Sequence, residues 1–155
     1  MKFRERALIF LASGFCIGNV PFAPGTFGSI LGLPIAFLLS RLNLLLSISL
    51  ILLFIFLAIG IASAAEKVLN QKDPAKIVID EIAGLMVTFT GLPFNLSTAV
   101  AGFVIFRALD ILKPFPIRAL ESKISGGSGI VLDDVLAGIF ANLILRLAFY
   151  VTGVI

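Results

Sequence analysis

Two pairs of adjacent acidic residues, Asp80–Glu81 and Asp133–Asp134, each stand directly before an apolar run. A charged carboxylate carried toward hydrocarbon costs about 3 kcal/mol or more, so each pair needs a compensating partner. One interpretation is a helix start, because capping and the helix dipole stabilise carboxylates near a helix N-terminus. The other interpretation is a shared polar site, to which Asp110 in a third polar segment would contribute a fifth carboxylate.

Five carboxylates at one membrane face require cations or protons to neutralise them. Oxygen ligands favour a hard cation, and Mg²⁺ is the usual one near phosphates. Zinc is disfavoured and a phosphohistidine mechanism is excluded, since the chain has no histidine and one cysteine, Cys16. The cysteine-phosphatase loop and the D-x-D motif of aspartyl-phosphate enzymes are also absent. For a phosphoryl-transfer enzyme, this inventory favours a metal-bound water as the nucleophile.

Each acidic pair is followed by a glycine at a helical spacing. Gly84 lies four positions after Asp80, and Gly138 lies four positions after Asp134. On a helix, residues four apart share one face, so each glycine lies one turn beneath its acid. A glycine at such a position lets another helix approach closely.

The composition predicts an integral membrane protein with a single domain, residues 1–155. The 155 residues are 59% apolar and 14% charged, with a mean hydropathy of +1.14, whereas soluble domains are about half apolar and a quarter charged. Residues 44–65 run without a charge, and about 20 residues suffice to cross a bilayer. The basic, apolar start lacks a small-residue cleavage site, so we expect it to be retained. The net charge of +3 is too small and dispersed to indicate nucleic-acid binding.

No strand-like alternation recurs, so the sequence predicts an all-α, polytopic helical bundle with short or re-entrant helices. Basic residues mark three connectors, 2–6, 66–81 and 107–123, as cytoplasmic. Residues 82–106 would then enter and return as a hairpin that turns at GLPFN (91–95). A single helix kinked at Pro93 is the rival, and it would separate the acidic pairs. The hairpin places the polar site at the cytoplasmic face.

Four segments together resemble the phosphatidylglycerophosphatase A family. They are GNVPFAPGTFGS (18–29), IVIDEIAGL (77–85), FRALDILKPFPI (106–117) and GGSGIVLDDVLAGI (126–139), within a resemblance that covers roughly residues 14–142. It implies a Mg²⁺-dependent enzyme of the bacterial inner membrane with an all-α fold. Its partners would be the bilayer and a phospholipid substrate, phosphatidylglycerol phosphate, which it hydrolyses to phosphatidylglycerol and phosphate.

The resemblance also implies roles for individual residues. The first block resembles a tight turn entering a helix whose free N–H groups could receive a phosphate, although a plain capped turn would look the same. Arg107 and Lys113 flank Asp110 on one helical face, and a surface ion pair is the alternative there. The implied catalytic residues are Asp80, Asp110 and Asp134; the implied metal ligands are Asp80, Glu81, Asp110, Asp133 and Asp134; the implied phosphate-binding residues are Gly25, Thr26, Ser29, Arg107 and Lys113.

Two rival functions and two outlying residues complete the interpretation. A transporter or channel with a cation-binding acidic cluster is one rival, but these acids lie at segment ends and not at mid-membrane. A CDP-alcohol phosphotransferase is another, and its D-G-x-x-A-R signature is absent. Asp73, before Pro74, is interpreted as a turn residue. Arg146 falls near mid-bilayer, where it would either snorkel outward or face the bundle interior, and we place it outside the site.

Overall fold

Seven α-helices and one short 3₁₀ turn make up the part of the chain that the computed structural model describes, residues 2–152. These residues contain no strand, which confirms the all-α prediction. The helices are α1 (Phe3–Ala12), α2 (Pro24–Ser40), α3 (Leu44–Leu69), α4 (Ile79–Thr88), α5 (Leu96–Leu112), α6 (Ile117–Lys123) and α7 (Gly127–Thr152), with the 3₁₀ turn at Ile17–Asn19.

The helix limits follow from local sequence signals. Asn43 and Asn95 cap α3 and α5, since their side-chain oxygens accept the backbone N–H of the residue three positions on. Asn70 and Lys113 end the same two helices in the left-handed conformation, which terminates a helix. Pro24 begins α2, where its fixed φ suits the first helical position.

Helix α3 is long and apolar enough to cross a membrane. Its 26 residues span about 39 Å at 1.5 Å per residue. Most of the helix is exposed, with Leu45 at 77% and Phe56 at 75%, so it is not the central helix of a soluble core. Within the described residues no other helix meets the same length and hydropathy test, and α2 is a shorter apolar helix. These features agree with a helical membrane protein.

Helices α4 and α5 form the predicted hairpin. Residues 89–95 separate them, and the beginning of α4 lies at the same end of the molecule as the end of α5, where Glu81 and Arg107 both approach Gly25. A single helix kinked at Pro93 is therefore wrong. At ten residues α4 spans about 15 Å, which is shorter than a full crossing.

Helices α4 and α7 cross with their backbones in direct contact. A Cβ atom added to Gly138 would lie 2.2 Å from the Gly84 carbonyl oxygen, and one added to Gly84 would lie 2.6 Å from the Asp134 carbonyl oxygen. This contact confirms the close approach predicted from the two glycines. Both helices start at the same end of the bundle, so Asp80 and Asp134 meet one turn beyond the crossing.

The far end of the hairpin is attached to α7 by two polar side chains. Asn142 donates to the carbonyl oxygens of Thr88 and Thr90 at 2.9 and 3.0 Å. Arg146 donates to the carbonyls of Thr90 and Gly91 and to the Asn142 side chain, at 2.9, 3.2 and 2.8 Å. These contacts satisfy carbonyls that the end of α4 leaves without helical partners. Arg146 is thus directed toward the hairpin turn, which decides between the two orientations considered for it.

We expect Gly138→Ala to destabilise the protein and to disturb the acidic pairs. The added methyl would overlap the Gly84 carbonyl, and such overpacking costs about 1–3 kcal/mol or more. The measurement is the melting temperature of the detergent-purified protein. Gly60→Ala is the matched control, because nothing lies within 4 Å of a Cβ there. In the interior of α3 this change should be neutral or stabilise by about 0.5–1 kcal/mol. Equal effects of the two substitutions would contradict the crossing.

Candidate active site

Three carboxylates, those of buried Asp80 and Asp134 and of half-buried Glu81, meet near the starts of α4 and α7. Asp80 and Glu81 lie in the first turn of α4, and Asp134 lies in the second turn of α7. One carboxylate oxygen of each residue lies within 4.8 Å of a carboxylate oxygen of each of the other two. Asp80 is 8% exposed and Asp134 is 3% exposed, so water reaches them poorly. We call these three residues the carboxylate cluster.

The carboxylate cluster contains hydrogen-bond acceptors that no protein group satisfies. Oδ1 of Asp80, Oε2 of Glu81 and Oδ2 of Asp134 are buried and have no hydrogen-bond partner among residues 2–152. A buried polar atom without a partner costs free energy, and adjacent anions add mutual repulsion. A bound cation would remove both penalties, and an all-oxygen ligand set suits a hard divalent cation. The geometry therefore fits a divalent metal ion.

Helix α2 and the loop before it hold the start of α4 in place. A Cβ atom on Gly18 would lie 2.0 Å from the Lys76 carbonyl oxygen, and one on Gly28 would lie 2.6 Å from Cβ of Val78. The Val78 N–H also donates to the Ala12 carbonyl at 2.9 Å. The glycines of the first block are thus needed for close packing against the segment that carries the acidic pair.

The three phosphate-binding residues predicted on α2 have different surroundings. Gly25 lies against Glu81, since a Cβ there would be 2.2 Å from Oε1 of that carboxylate. Thr26 is half-buried, and its N–H donates to the Ala23 carbonyl at 3.0 Å. Ser29 is fully buried and donates its hydroxyl to the Gly25 carbonyl at 2.9 Å. Their assignment to phosphate binding stays a prediction, and for Ser29 the existing hydrogen bond speaks against it.

Arg107 brings a positive charge to the carboxylate cluster. One terminal nitrogen donates to Asp110 in an ion pair, and the other lies 3.2 Å from the Cβ position of Gly25. Nε of Arg107 is buried without a hydrogen-bond partner. Asp110 orients the guanidinium through this ion pair. Arg107 and Asp110 are thus neighbours of the cluster, as the sequence predicted.

Lys113 makes a second charged contact beside the cluster. It donates to Asp133 and, at 3.0 Å, to Glu121. Burial lowers the pKa of Lys113, but the hydrogen bonds that it donates to Asp133 and Glu121 outweigh burial and raise the pKa above its usual value. Lys113 therefore remains a cation at all physiological pH values. The role of Glu121 was missed by the sequence reasoning, because its partner is eight residues away, outside helical neighbour spacing.

Asp133 and Asp134 point to different partners. Oδ1 of Asp133 accepts the Asp134 N–H at 3.1 Å and its other oxygen accepts Lys113, so its carboxylate is already occupied. Helix α7 begins at Gly127, which places this pair in the second turn. The helix-start interpretation is therefore wrong for this pair, whereas Asp80 and Glu81 do lie in a first turn. Asp133 as a metal ligand stays a prediction.

Asp73 is closer to the site than its sequence position suggested. It adopts a left-handed conformation with φ of 45°, as expected of a turn residue. Desolvation raises the pKa of Asp73, Lys113 lowers it, and the carboxylates of Glu121, Glu66 and Asp110 raise it. Asp73 thus belongs to the same charged end of the molecule.

The carboxylate cluster lies next to an arginine and a lysine, at one end of an all-helical bundle that has an exposed apolar helix. This arrangement is suited to metal-assisted phosphoryl transfer in a membrane-associated hydrolase. A sequence model of the phosphatidylglycerophosphatase A family matches residues 10–149. The chain belongs to the phosphatidylglycerophosphatase A family and is, as the sequence predicted, an enzyme of the phosphatase class.

Three relatives are similar over most of their length. The chain is 38% identical to phosphatidylglycerophosphatase A of Escherichia coli strain K12, over 87% of this chain and 79% of that protein. It is 36% identical to phosphatidylglycerophosphatase A of Haemophilus influenzae, over 87% of this chain and 84% of that protein. It is 35% identical to a Bacteroides thetaiotaomicron protein named "Putative phosphatidylinositol-3-phosphatase", over 94% of this chain and 95% of that protein. No solved structure gives a significant match.

Adding Mg²⁺ to chelator-treated protein should raise its melting temperature. A ligand at 100 times its Kd stabilises by about 2.7 kcal/mol, which is about 5 °C or more for a chain of this size. Asp134→Asn should lose this shift, because it removes one of the three clustered carboxylates. Asp133→Asn should retain it, since that carboxylate is bound to Lys113. The same shift in both variants would show that Mg²⁺ binds elsewhere.

Proposed function

We propose that this protein is a phosphatidylglycerophosphatase, which hydrolyses phosphatidylglycerol phosphate to phosphatidylglycerol and inorganic phosphate. The observation that carries the proposal is the carboxylate cluster with its three unpartnered oxygens beside the unpartnered Nε of Arg107. Acceptors and a donor are thus buried side by side, which suits a metal ion and a phosphate bound together. Family membership supports the reaction class. A transporter or channel is disfavoured because the family consists of enzymes.

Mg²⁺ is the cofactor that we propose for this site. Asp80, Glu81 and Asp134 would hold it, because their free oxygens converge and hard oxygen ligands suit it. Asp110 lies near enough to contribute, since its charge acts on both Glu81 and Asp134. When bound, Mg²⁺ supplies positive charge for the phosphoryl oxygens and makes a coordinated water more acidic.

The chain's own residues bind the phosphate, stabilise its negative charge and transfer protons. In the reaction, a water oxygen bonds to phosphorus, the bond from phosphorus to the glycerol oxygen breaks, and that oxygen leaves with a proton as a hydroxyl. Arg107 donates to the phosphate oxygens through its free Nε, while Asp110 fixes the guanidinium. Lys113, held by Asp133 and Glu121, adds a second fixed cation nearby. A carboxylate of the cluster accepts the proton released by water and returns a proton to the leaving glycerol oxygen.

The names of the relatives indicate one substrate chemistry. Phosphatidylglycerol phosphate and phosphatidylinositol 3-phosphate both carry a terminal phosphomonoester on a polyol, which a phosphodiester joins to diacylglycerol. The relatives named for these activities are similarly close to this chain, at 35–38% identity. Two of the three are named for phosphatidylglycerol phosphate, and the family is named for it as well. We therefore propose that lipid as the substrate.

The proposed setting is the bacterial inner membrane, with several crossings and the site on the cytoplasmic side. Large apolar side chains are exposed on α5 and α7 as well as on α3, for example Val104 at 57% and Leu147 at 64%. Apolar surface of this extent is typical of contact with lipid. The end that carries the site also carries basic residues, namely Lys67, Lys72, Lys113, Arg118 and Lys123. Basic residues favour the cytoplasmic side and attract an anionic headgroup.

Phosphate release from phosphatidylglycerol phosphate should stop in EDTA and return with Mg²⁺. Asp80→Asn and Asp134→Asn should each lower turnover at least about a hundredfold, because the lost electrostatic stabilisation is about 3 kcal/mol or more. Phosphate release is measured in detergent micelles. Asp110→Asn should have a similar effect, since it frees Arg107 as well.

Glu5→Gln is the matched control, because Glu5 is a carboxylate in α1 outside the site. It should leave turnover unchanged. Undiminished hydrolysis in chelator would contradict the metal-assisted mechanism, and full activity of Asp134→Asn would contradict the site.

Cysteine labelling of intact cells tests the membrane orientation. In a Cys16→Ser background, Lys72→Cys and Lys123→Cys should react with an impermeant reagent only after the inner membrane is opened. Both positions are exposed at the end that carries the site. Ser97→Cys, at the start of α5 near the hairpin turn, should not label from the cytoplasmic side. Labelling of Lys123→Cys from outside in sealed cells would place the site on the wrong face.

A further inference from the structure

A cavity of about 270 Å³ opens directly beside the proposed active site. Its walls come from the end of α3, the connector before α4, helix α6 and the start of α7. Asp133 belongs to both places, since it lines the cavity and binds Lys113 next to the carboxylate cluster. The cavity and the proposed active site therefore share the Asp133 side chain as a common wall. The mechanism above does not use it.

The cavity combines groups of opposite charge that do not neutralise one another. Lys72 and Arg118 supply cations to its wall, and Glu66 and Asp73 supply carboxylates. None of these four forms an ion pair within the described part of the chain, where Lys113, Asp133 and Glu121 pair among themselves. Arg118 makes one long hydrogen bond, at 3.4 Å to the Leu112 carbonyl. The four side chains thus keep most of their hydrogen-bonding capacity.

Such a lining suits a ligand that both donates and accepts hydrogen bonds. Ionised carboxylates only accept, and lysine and arginine only donate. A simple anion would be repelled by Glu66 and Asp73, and a simple cation would be repelled by Lys72 and Arg118. A polyol joined to a phosphodiester satisfies both sets, because its hydroxyls donate and its phosphate oxygens accept. The hydroxyls of Ser122 and Ser125 line the same cavity.

We infer that this cavity is the headgroup subsite, which binds the polyol and the phosphodiester of the lipid substrate while the terminal phosphomonoester occupies the carboxylate cluster. This assignment rests on the proposed function. Glu66 and Asp73 accept the polyol hydroxyls, and Arg118 and Lys72 bind the phosphodiester. The volume would hold about nine water molecules at about 30 Å³ each, which is room for a glycerol with one phosphate.

Such a subsite would allow one catalytic centre to distinguish between lipid phosphates. Phosphatidic acid carries its phosphomonoester directly on diacylglycerol, so it has neither polyol nor phosphodiester to place in the cavity. A phosphate on a polyol headgroup fills both places at once. Contacts remote from the reacting bond then contribute binding energy that only the larger headgroup can use.

The test compares two substrates in variants of the cavity wall. For Arg118→Gln, the KM for phosphatidylglycerol phosphate should rise about tenfold, the scale of one lost charge-assisted hydrogen bond, with kcat within about twofold. Asp73→Asn should raise the same KM by a smaller factor, and its exposed loop position makes misfolding a minor concern. Hydrolysis of phosphatidic acid should not change in either variant. Lys76→Gln is the matched control, because it removes an exposed cation from the connector before α4, outside the cavity.

A second measurement separates this inference from the proposed function. Glycerophosphoglycerol, the soluble headgroup without its terminal phosphate, should bind the wild-type protein in titration calorimetry at millimolar concentrations and bind Arg118→Gln at least about tenfold more weakly. If wild-type protein hydrolyses the lipid but binds no glycerophosphoglycerol, or if Arg118→Gln affects both lipids equally, the subsite is wrong and the function stands. If the lipid is not hydrolysed but glycerophosphoglycerol binds through Arg118, the proposed function is wrong, while the cavity is still a binding site for a polyol phosphodiester.

Discussion

The backbone contact between Gly84 and Gly138 determines the remainder of the architecture. Because no side chain intervenes, α4 and α7 approach closely enough that Asp80 and Asp134, one turn away, share one buried space. A larger residue at either glycine would overlap the backbone of the other helix and force α4 and α7 apart. The hairpin partner α5 then delivers Arg107 and Asp110 to the same end, and α2 closes the remaining side with Gly25 against Glu81.

This arrangement exchanges stability for a binding site. Three carboxylate oxygens and one guanidinium nitrogen are buried without partners, whereas the neighbouring charges, Lys113 with Asp133 and Arg107 with Asp110, are paired. The unpaired atoms converge, which is the pattern expected when the missing partner is a ligand. Residues around the cluster serve mainly to orient it. Two hydrogen bonds are examples: the N–H of Asp134 donates to the Asp133 carboxylate, and the Ser29 hydroxyl donates to the Gly25 carbonyl.

Much of the fold and of the site could be predicted from local patterns. Helices α2, α3 and α5, the turn near Pro93 and the glycine contact all follow from apolar runs, Asn caps and i,i+4 spacing. The roles of individual acids could not be predicted this way. Asp133 and Asp134 are adjacent in sequence, yet on a helix they point about 100° apart, so one meets Lys113 and the other the cluster. Which of them faces inward depends on tertiary packing alone. The contacts of Arg146 with Thr90 and Gly91, more than 50 residues earlier in the chain, likewise leave no local signal.

The attachment of the hairpin turn to Arg146 fixes the distance between that turn and the carboxylate cluster. Twelve residues separate Asp134 from Arg146, so the turn lies about 18 Å below the acids along α7. In the proposed orientation the acids lie at the surface of a hydrocarbon core about 30 Å thick, and the hairpin would then end just past the midplane. With α3 crossing fully in that orientation, the protein would displace more lipid from the leaflet beside the carboxylate cluster than from the opposite one.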